Sequence, residues 1–133
     1  MRVLIVGESP KTESISRALE DERVAVAHRR DGPAPADSAE EIAAIARDLR
    51  EIESALVNPG AGAVIVASQS SGALAAVIVA TKLCTPVARL GAPDGPAAEA
   101  VNSRLIHQMA DTSLAPNPSA VLEWVRASYA PPG

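Results

Sequence analysis

The stretch VIVASQSSGALAAVIVATKL, Val64–Leu83, decides the fold. An apolar run ends abruptly at a knot of small polar residues, Ser68-Gln69-Ser70-Ser71-Gly72, and a second, longer apolar run begins at once. A short continuous apolar run reads as a strand buried on both faces, which is the habit of parallel sheets. The second run has the length of a helix, and a serine at its mouth is a good N-cap. The unit is therefore strand, tight turn, helix.

The same alternation runs outward in both directions. Upstream, RVLIV (Arg2–Val6) is a first strand, Pro10–Glu20 a helix, and RVAVAH (Arg23–His28) a second strand. A Pro-rich loop, DGPAPADS, leads to a helix that opens on a capping box of Ser38 with Glu41. Its apolar residues Ile42, Ile45, Leu49, Ile52 and Leu56 recur at helical spacing, and Asn58-Pro59-Gly60 stops it. Downstream of Val64–Leu83, PVARL (Pro86–Leu90) is a fourth strand and GAPDGP a turn cluster. Ala97–Ala110 follows as a helix with an apolar face of Val101, Leu105 and Met109, leaving His107 exposed. TSLA is a short fifth strand, Ser119–Tyr129 a last helix, and residues 131–133 a frayed tail.

Strands alternating with helices imply right-handed crossovers and a parallel sheet covered on both faces. The expected fold is a single α/β domain over residues 1–130. It is a three-layer, doubly wound, Rossmann- or flavodoxin-like sheet of five parallel strands in order 2-1-3-4-5. In such sheets ligands bind beyond the carboxyl ends of the strands where the order reverses. That sets two loops face to face: Gly7-Glu8-Ser9-Pro10-Lys11 and Ser68–Gly72.

Bulk composition narrows the partners. The chain has 133 residues, 47% of them hydrophobic and 21% charged, with a net charge of −4. No basic stripe suits a phosphate backbone, and with Trp124 and Tyr129 as its only aromatics it lacks stacking platforms; no nucleic-acid partner is expected. The longest apolar stretch, Ala73–Ala80, is far short of the ~20 residues a membrane helix needs. The apolar run after Met1-Arg2 is too short for a signal-peptide core. Cys84 is the only cysteine, which favours a reducing compartment. A soluble cytoplasmic protein is expected.

The loops offer binding groups more than reacting ones. The first turn of the helix after Ser70 presents N–H groups and partial positive charge suited to a phosphate or carboxylate, unless Ser70 serves only as a cap. Lys11, His28, Arg29 and Arg30 lie on the same edge, either as anion ligands or as solvated turn charges. Ser9, Ser68, Ser70 and Ser71 carry hydroxyls, but no nucleophile elbow is present and no base is paired with them. No spacing of His, Cys, Asp and Glu suits a metal, and neither a G-x-G-x-x-G nor a Walker pattern occurs; no cofactor is expected. The helix at 70–83 is apolar nearly all round, so its outer face either meets a second subunit or is covered by its own neighbours.

Several strings, in order, resemble the N-terminal domain of non-hydrolysing UDP-N-acetylglucosamine 2-epimerases. NSRLIHQMADTSLAP is similar to that family's N-R-x-L-x-D-H-x-A-D-x-x-F-A-P segment, with Asn102, Arg104, Leu105, Ala110, Asp111, Ala115 and Pro116 in register. The Val64–Ala92 unit resembles V-x-V-x-G-D-T-x-S-x-x-A followed by P-V-x-H-V-E-A-G. His28-Arg29 resembles the H-R ending the family's second strand, and Pro10 matches the proline of G-T-R-P-E. The resemblance implies a UDP-sugar or other small anionic ligand, bound by Ser9, Lys11, His28, Arg29, Ser68, Gln69, Ser70, Ser71 and Gly72. It also implies a homodimer through the apolar helix 70–83, or else a partner subunit.

The departures bear on activity. Gln69 stands where the family has a carboxylate and Gly91 where it has a glutamate; its first-loop arginine and lysine fall at Ser9 and Ser14. Of three family carboxylates only the one aligned with Glu99 is retained. A helix and strand after His28-Arg29 are gone, which converts order 3-2-1-4-5 into 2-1-3-4-5, and the second domain with most UDP contacts has no counterpart. In the family, C2 epimerisation needs a proton removed and returned, and losing one acid/base group typically costs ~10²–10⁴ in rate. The expectation is a chain that does not catalyse alone and serves as a ligand-binding or subunit module. The alternative is half of a split epimerase completed by a UDP-binding subunit, with Glu99 as the catalytic residue on this side.

Overall fold

The structure is a computed structural model describing residues 2–33, 35–91 and 97–128, without the side chains of 59 and 97–100. In chain order it contains β1 (Arg2–Val6), α1 (Thr12–Asp21), β2 (Ala25–Arg29), α2 (Ser38–Ala55), a single π-turn (Leu56–Gly60), β3 (Ala63–Val66), α3 (Ser71–Lys82), β4 (Val87–Leu90), α4 (Ala97–Met109), β5 (Thr112–Leu114) and α5 (Pro118–Ser128). The five strands form one parallel sheet in order β2-β1-β3-β4-β5, as the alternation predicts. The expected tail at 131–133 and most of the GAPDGP turn lie outside the described residues.

The sheet sorts its side chains by the two-residue period of a strand. Leu4, Val6, Val64, Val66 and Val87 pack beneath α2, α3 and α4, while Val3, Ile5, Ala63 and Ile65 pack against α1 and α5. The central strands are apolar, β3 throughout and β1 after Arg2, because both their faces are covered. The edge strand β2 is half exposed, which lets it end in His28 and Arg29 without burying an unpaired charge.

The apolar girth of α3 is used up within the chain. Ala73, Leu74, Ala75, Ala76, Val77, Val79 and Ala80 are all buried, because α3 lies over the sheet with α2 on one side and α4 on the other. Val77 is 0% exposed. The surface expected to carry a homodimer through residues 70–83 is therefore covered by the chain's own helices.

Three local expectations are corrected. The N-cap of α2 is Asp37, one residue before the expected Ser38: its carboxylate accepts from Glu40 N at 2.8 Å, and Glu40 in turn accepts from Ala36 N at 2.6 Å. An aspartate takes the cap, the N3 glutamate reaches one residue past it to Ala36 rather than to the cap's own N–H, and Glu41 is released for another partner. Ile42, expected on the inner face of α2, is 68% exposed; farther along the helix Ile45 and Leu49 are half-buried and Ile52 is fully buried. On α4 the inward face is Asn102, Ser103 and Ile106, leaving Val101 and Leu105 51% and 40% exposed. The helix is turned by one residue from the apolar reading: Ile106 enters the core and Asn102 reaches the loop after β3.

The stop after α2 follows from Pro59, which disfavours helical backbone in the residue before it. Asn58 accordingly leaves the helix at φ −143°, ψ 110°.

Candidate functional site

The two loops expected to face each other across a crevice are in contact. Gly7 has φ +88°, and a Cβ there would lie 2.2 Å from Ser68 Oγ and 2.7 Å from Ser68 Cβ. Glycine is needed both for the left-handed backbone and for the approach. Gly7 is further tied to β2: its N–H donates to Arg29 O at 2.9 Å, and His28 donates Nε2–H to its carbonyl at 2.7 Å. A carbonyl can only accept, so Nε2 is the donor in this pair. Ser9 is spent on the turn into α1, donating its N–H to Thr12 Oγ1 at 2.8 Å. Lys11 is an exposed residue at the N-terminus of α1.

The open space lies on the other side of the knot. A cleft of about 790 Å³ is bounded by Ser70–Gly72 at the mouth of α3, by α2 from Ser38 to Asp48, and by the exit of β2 from Arg29 to Pro33; Val6 and Asn102 also line it. Of the residues nominated from sequence, Arg29, Arg30, Ser70, Ser71 and Gly72 line this cleft. Ser9, Lys11, His28, Ser68 and Gln69 do not, although Ser68 and Gln69 are tied to residues that do. Glu99 belongs to α4, but its side chain lies outside the described residues.

The mouth of α3 is already occupied by an anionic group of the chain itself. Asp31, just beyond β2, accepts from Ser70 Oγ at 2.6 Å and from Ser68 Oγ at 3.1 Å. Ser70 also caps the helix, accepting from Ala73 N at 3.1 Å. Asp31 thus stands where helix N–H groups and partial positive charge favour an anion. Next to it, Ser71 donates to the released Glu41 at 3.1 Å, and Asn102 Nδ2 donates to the carbonyl of Gln69 at 3.2 Å.

Arg29 is likewise engaged. It donates to Asp48 Oδ1 at 2.7 Å and to Glu51, both on α2. Burial works against its charge, but the hydrogen bonds to Glu51 and Asp48 outweigh that and hold its pKa above the ordinary arginine value. Asp48 is 9% exposed and abuts Gly72, where a Cβ would lie 3.4 Å from Oδ2. Arg29, Asp48 and Gly72 therefore lock β2, α2 and α3 together at the cleft wall. Arg30 pairs with Glu8 at 3.2 Å on the rim.

Asp31, Glu41, Asp48 and Asn102 were not nominated from sequence. Asp48 had a signal: it is a carboxylate within the inward series 45, 49, 52 of α2. Asn102 had one only in the resemblance, where it heads the matched N-R-x-L string; helical periodicity gave none, because the apolar face of α4 pointed elsewhere. The cleft carries Arg29, Arg30 and Arg47 against Asp31, Asp37, Glu41 and Asp48, so it is no funnel for anions. Carboxylates accept from hydroxyls, serines do both, and an amide offers both kinds of group; this lining matches a ligand rich in hydroxyls. Among the described residues no group of His, Cys, Asp and Glu could hold a metal ion, and no helix is long and apolar enough to cross a membrane.

Solved structures share this architecture. The fold is that of UDP-GlcNAc 2-epimerases. The Methanocaldococcus jannaschii enzyme, in complex with UDP-GlcNAc and UDP, superposes with a TM-score of 0.71 at 23% identity, over 98% of this chain and 44% of that one. The enzyme from Neisseria meningitidis bound to UDP-GlcNAc gives 0.69 at 18% identity, over 98% and 44%. S. aureus MnaA solved with UDP gives 0.71 at 18%, over 97% and 41%. The chain spans less than half the length of each. The resemblance carried by the sequence strings is thus met at the level of the fold. No family model and no curated protein matches the sequence.

Proposed function

We propose that the chain is an epimerase-like module that binds a sugar nucleotide through its sugar or ribose hydroxyls and does not epimerise it alone. The observation that carries this reading is the cleft at the carboxyl edge, where Asp31, Glu41, Ser71 and Asn102 present acceptors and donors suited to hydroxyls. Support comes from the shared fold of proteins solved with UDP and UDP-GlcNAc. The loss of catalysis rests on chemistry: the loop after β3 carries the amide Gln69 and β4 is followed by Gly91, neither of which can move a proton.

The test is an NMR titration of the protein with UDP-GlcNAc in heavy water. Saturable shifts at the amides of Ser70–Gly72 and Asp31, with no deuterium at C2 of the sugar, are the expected result. Deuterium at C2 would overturn the non-catalytic reading and favour residual or split-enzyme chemistry. Unmoved amides at those positions would overturn the cleft as the ligand site.

Self-association, or docking of a partner subunit, is the second part of the proposal. With α3 covered, it would use the exposed pair Val101 and Leu105 on α4.

A further inference from the structure

Arg89 is not used by the cleft. It lies in β4, with Val66 of β3 and Ser113 of β5 as register partners. Val87 and Val66 face the α2–α4 layer, and strand side chains alternate, so Arg89 faces that layer too, at the carboxyl end of the sheet. It is 7% exposed. A guanidinium has five N–H donors and no acceptor. Among the described residues Arg89 makes one side-chain hydrogen bond, from Nε to Ser113 Oγ at 2.6 Å, and has no carboxylate partner. Burial pushes its pKa below the ordinary arginine value. Arg29 is the contrast, with two carboxylates holding its pKa up.

A second buried polar group in the same layer is also unspent. Ser103 lies one turn before Ile106 on the inward face of α4 and is 3% exposed. Its hydroxyl has no hydrogen-bond partner among the described residues. Burying a charge without a counter-ion is costly, and so is burying a hydroxyl without a partner. Arg89 lies at the ligand-facing end of the sheet, and Ser103 sits on the helix that covers the same face; a ligand reaching both would satisfy both.

We infer that Arg89 anchors a small-oxyanion site at the carboxyl end of β4, taking one phosphate or carboxylate group against its guanidinium, with Ser103 as a second donor. This site is distinct from the mouth of α3, which Asp31 fills. It does not require the sugar-nucleotide reading: free phosphate and the diphosphate of a nucleotide are two sources of the same chemistry.

The experiment titrates the protein with inorganic phosphate, UDP and acetate in turn. The Nε–Hε cross-peak of Arg89 is followed by NMR, and melting is measured in parallel at fixed ionic strength. A saturable shift of that cross-peak is expected with at least one probe, together with a rise in Tm of about 4 °C at tenfold excess over Kd. R89M should lose that rise while melting at the same or a higher temperature without the anion, because it removes an uncompensated buried charge. S103A should weaken binding about tenfold. Tighter binding of UDP than of phosphate would identify a nucleotide source; equal binding would identify the plain anion. The inference is overturned if no probe shifts the Arg89 signal, or if R89M keeps the rise. It is equally overturned if R89M melts several degrees lower without anion, since Arg89 would then be paired inside its own chain. If the Arg89 signal responds to phosphate while Ser70–Gly72 ignore UDP-GlcNAc, the sugar-nucleotide reading falls and this one stands.

Discussion

Gly7→Ala tests the contact that organises the site. The added methyl would meet Ser68 Oγ at 2.2 Å, Ser68 Cβ at 2.7 Å and Ser68 N at 3.0 Å, at a backbone φ of +88°. Holding an L-residue in left-handed backbone costs about 1–2 kcal/mol. Rotating the serine could relieve the first contact but not the other two, so the β3 loop itself must move; forcing an extra carbon into a packed place costs about 1–3 kcal/mol. The sum is about 2–5 kcal/mol, or a fall in Tm of about 10 °C or more for a domain of this size. Urea denaturation of four proteins measures it: wild type, G7A, S68G and G7A/S68G. Ser68→Gly removes the two closest contacts and leaves the φ penalty. The pair should therefore couple by about 1–2 kcal/mol, with the double variant more stable than the single costs added together. If G7A costs less than about 1 kcal/mol, or the two costs add within about 0.5 kcal/mol, the loops are not packed as described and the cleft is not walled off from Gly7.

Further outcomes follow from the same geometry. Asp31→Ala removes the chain's own anion from the mouth of α3; with ~1 kcal/mol for a unit charge at 4 Å in water and a similar helix-terminus contribution, inorganic phosphate should bind there roughly tenfold more tightly by calorimetry. Asp48→Ala should cost about 1–3 kcal/mol by urea melting, because it leaves a partly buried Arg29 with only Glu51, whereas R29M/D48L should be close to neutral. The folded pKa of Arg29 is raised, so its contribution is fully present below the ordinary arginine value and is lost only at still higher pH. The Arg29–Asp48 coupling should therefore not fall, on the arginine's account, between about pH 6 and pH 10. Val77→Asp places a carboxylate at a fully buried position and should unfold the chain by more than about 4 kcal/mol. V101E/L105E, by contrast, should stay within about 0.5 kcal/mol of wild type and lower the mass seen by light scattering if α4 carries an interface.

The sequence by itself determined the sheet and its order. Val64–Val66 and Arg2–Val6 are short apolar runs between turn residues, and a strand buried on both faces has few other ways to read. The mouth of α3 was legible for the same reason: Ser70 followed by small residues is a cap signature that depends only on neighbours in sequence. What that mouth holds was not legible. Asp31 meets Ser70 across 39 positions, and Arg29 meets Asp48 across 19; such pairings exist only once β2, α2 and α3 are laid side by side. The facing of α4 went the same way. Its apolar residues named one face, but Ile106 and the Asn102 bond to the Gln69 carbonyl chose another, since a helix beside a polar crevice is oriented by what it must satisfy as well as by what it must bury. The apolar excess of α3 could mean a partner or a neighbour, and only packing between α2 and α4 decided for the neighbour. Periodicity tells a residue which way it points relative to its own element. Tertiary structure decides what it points at.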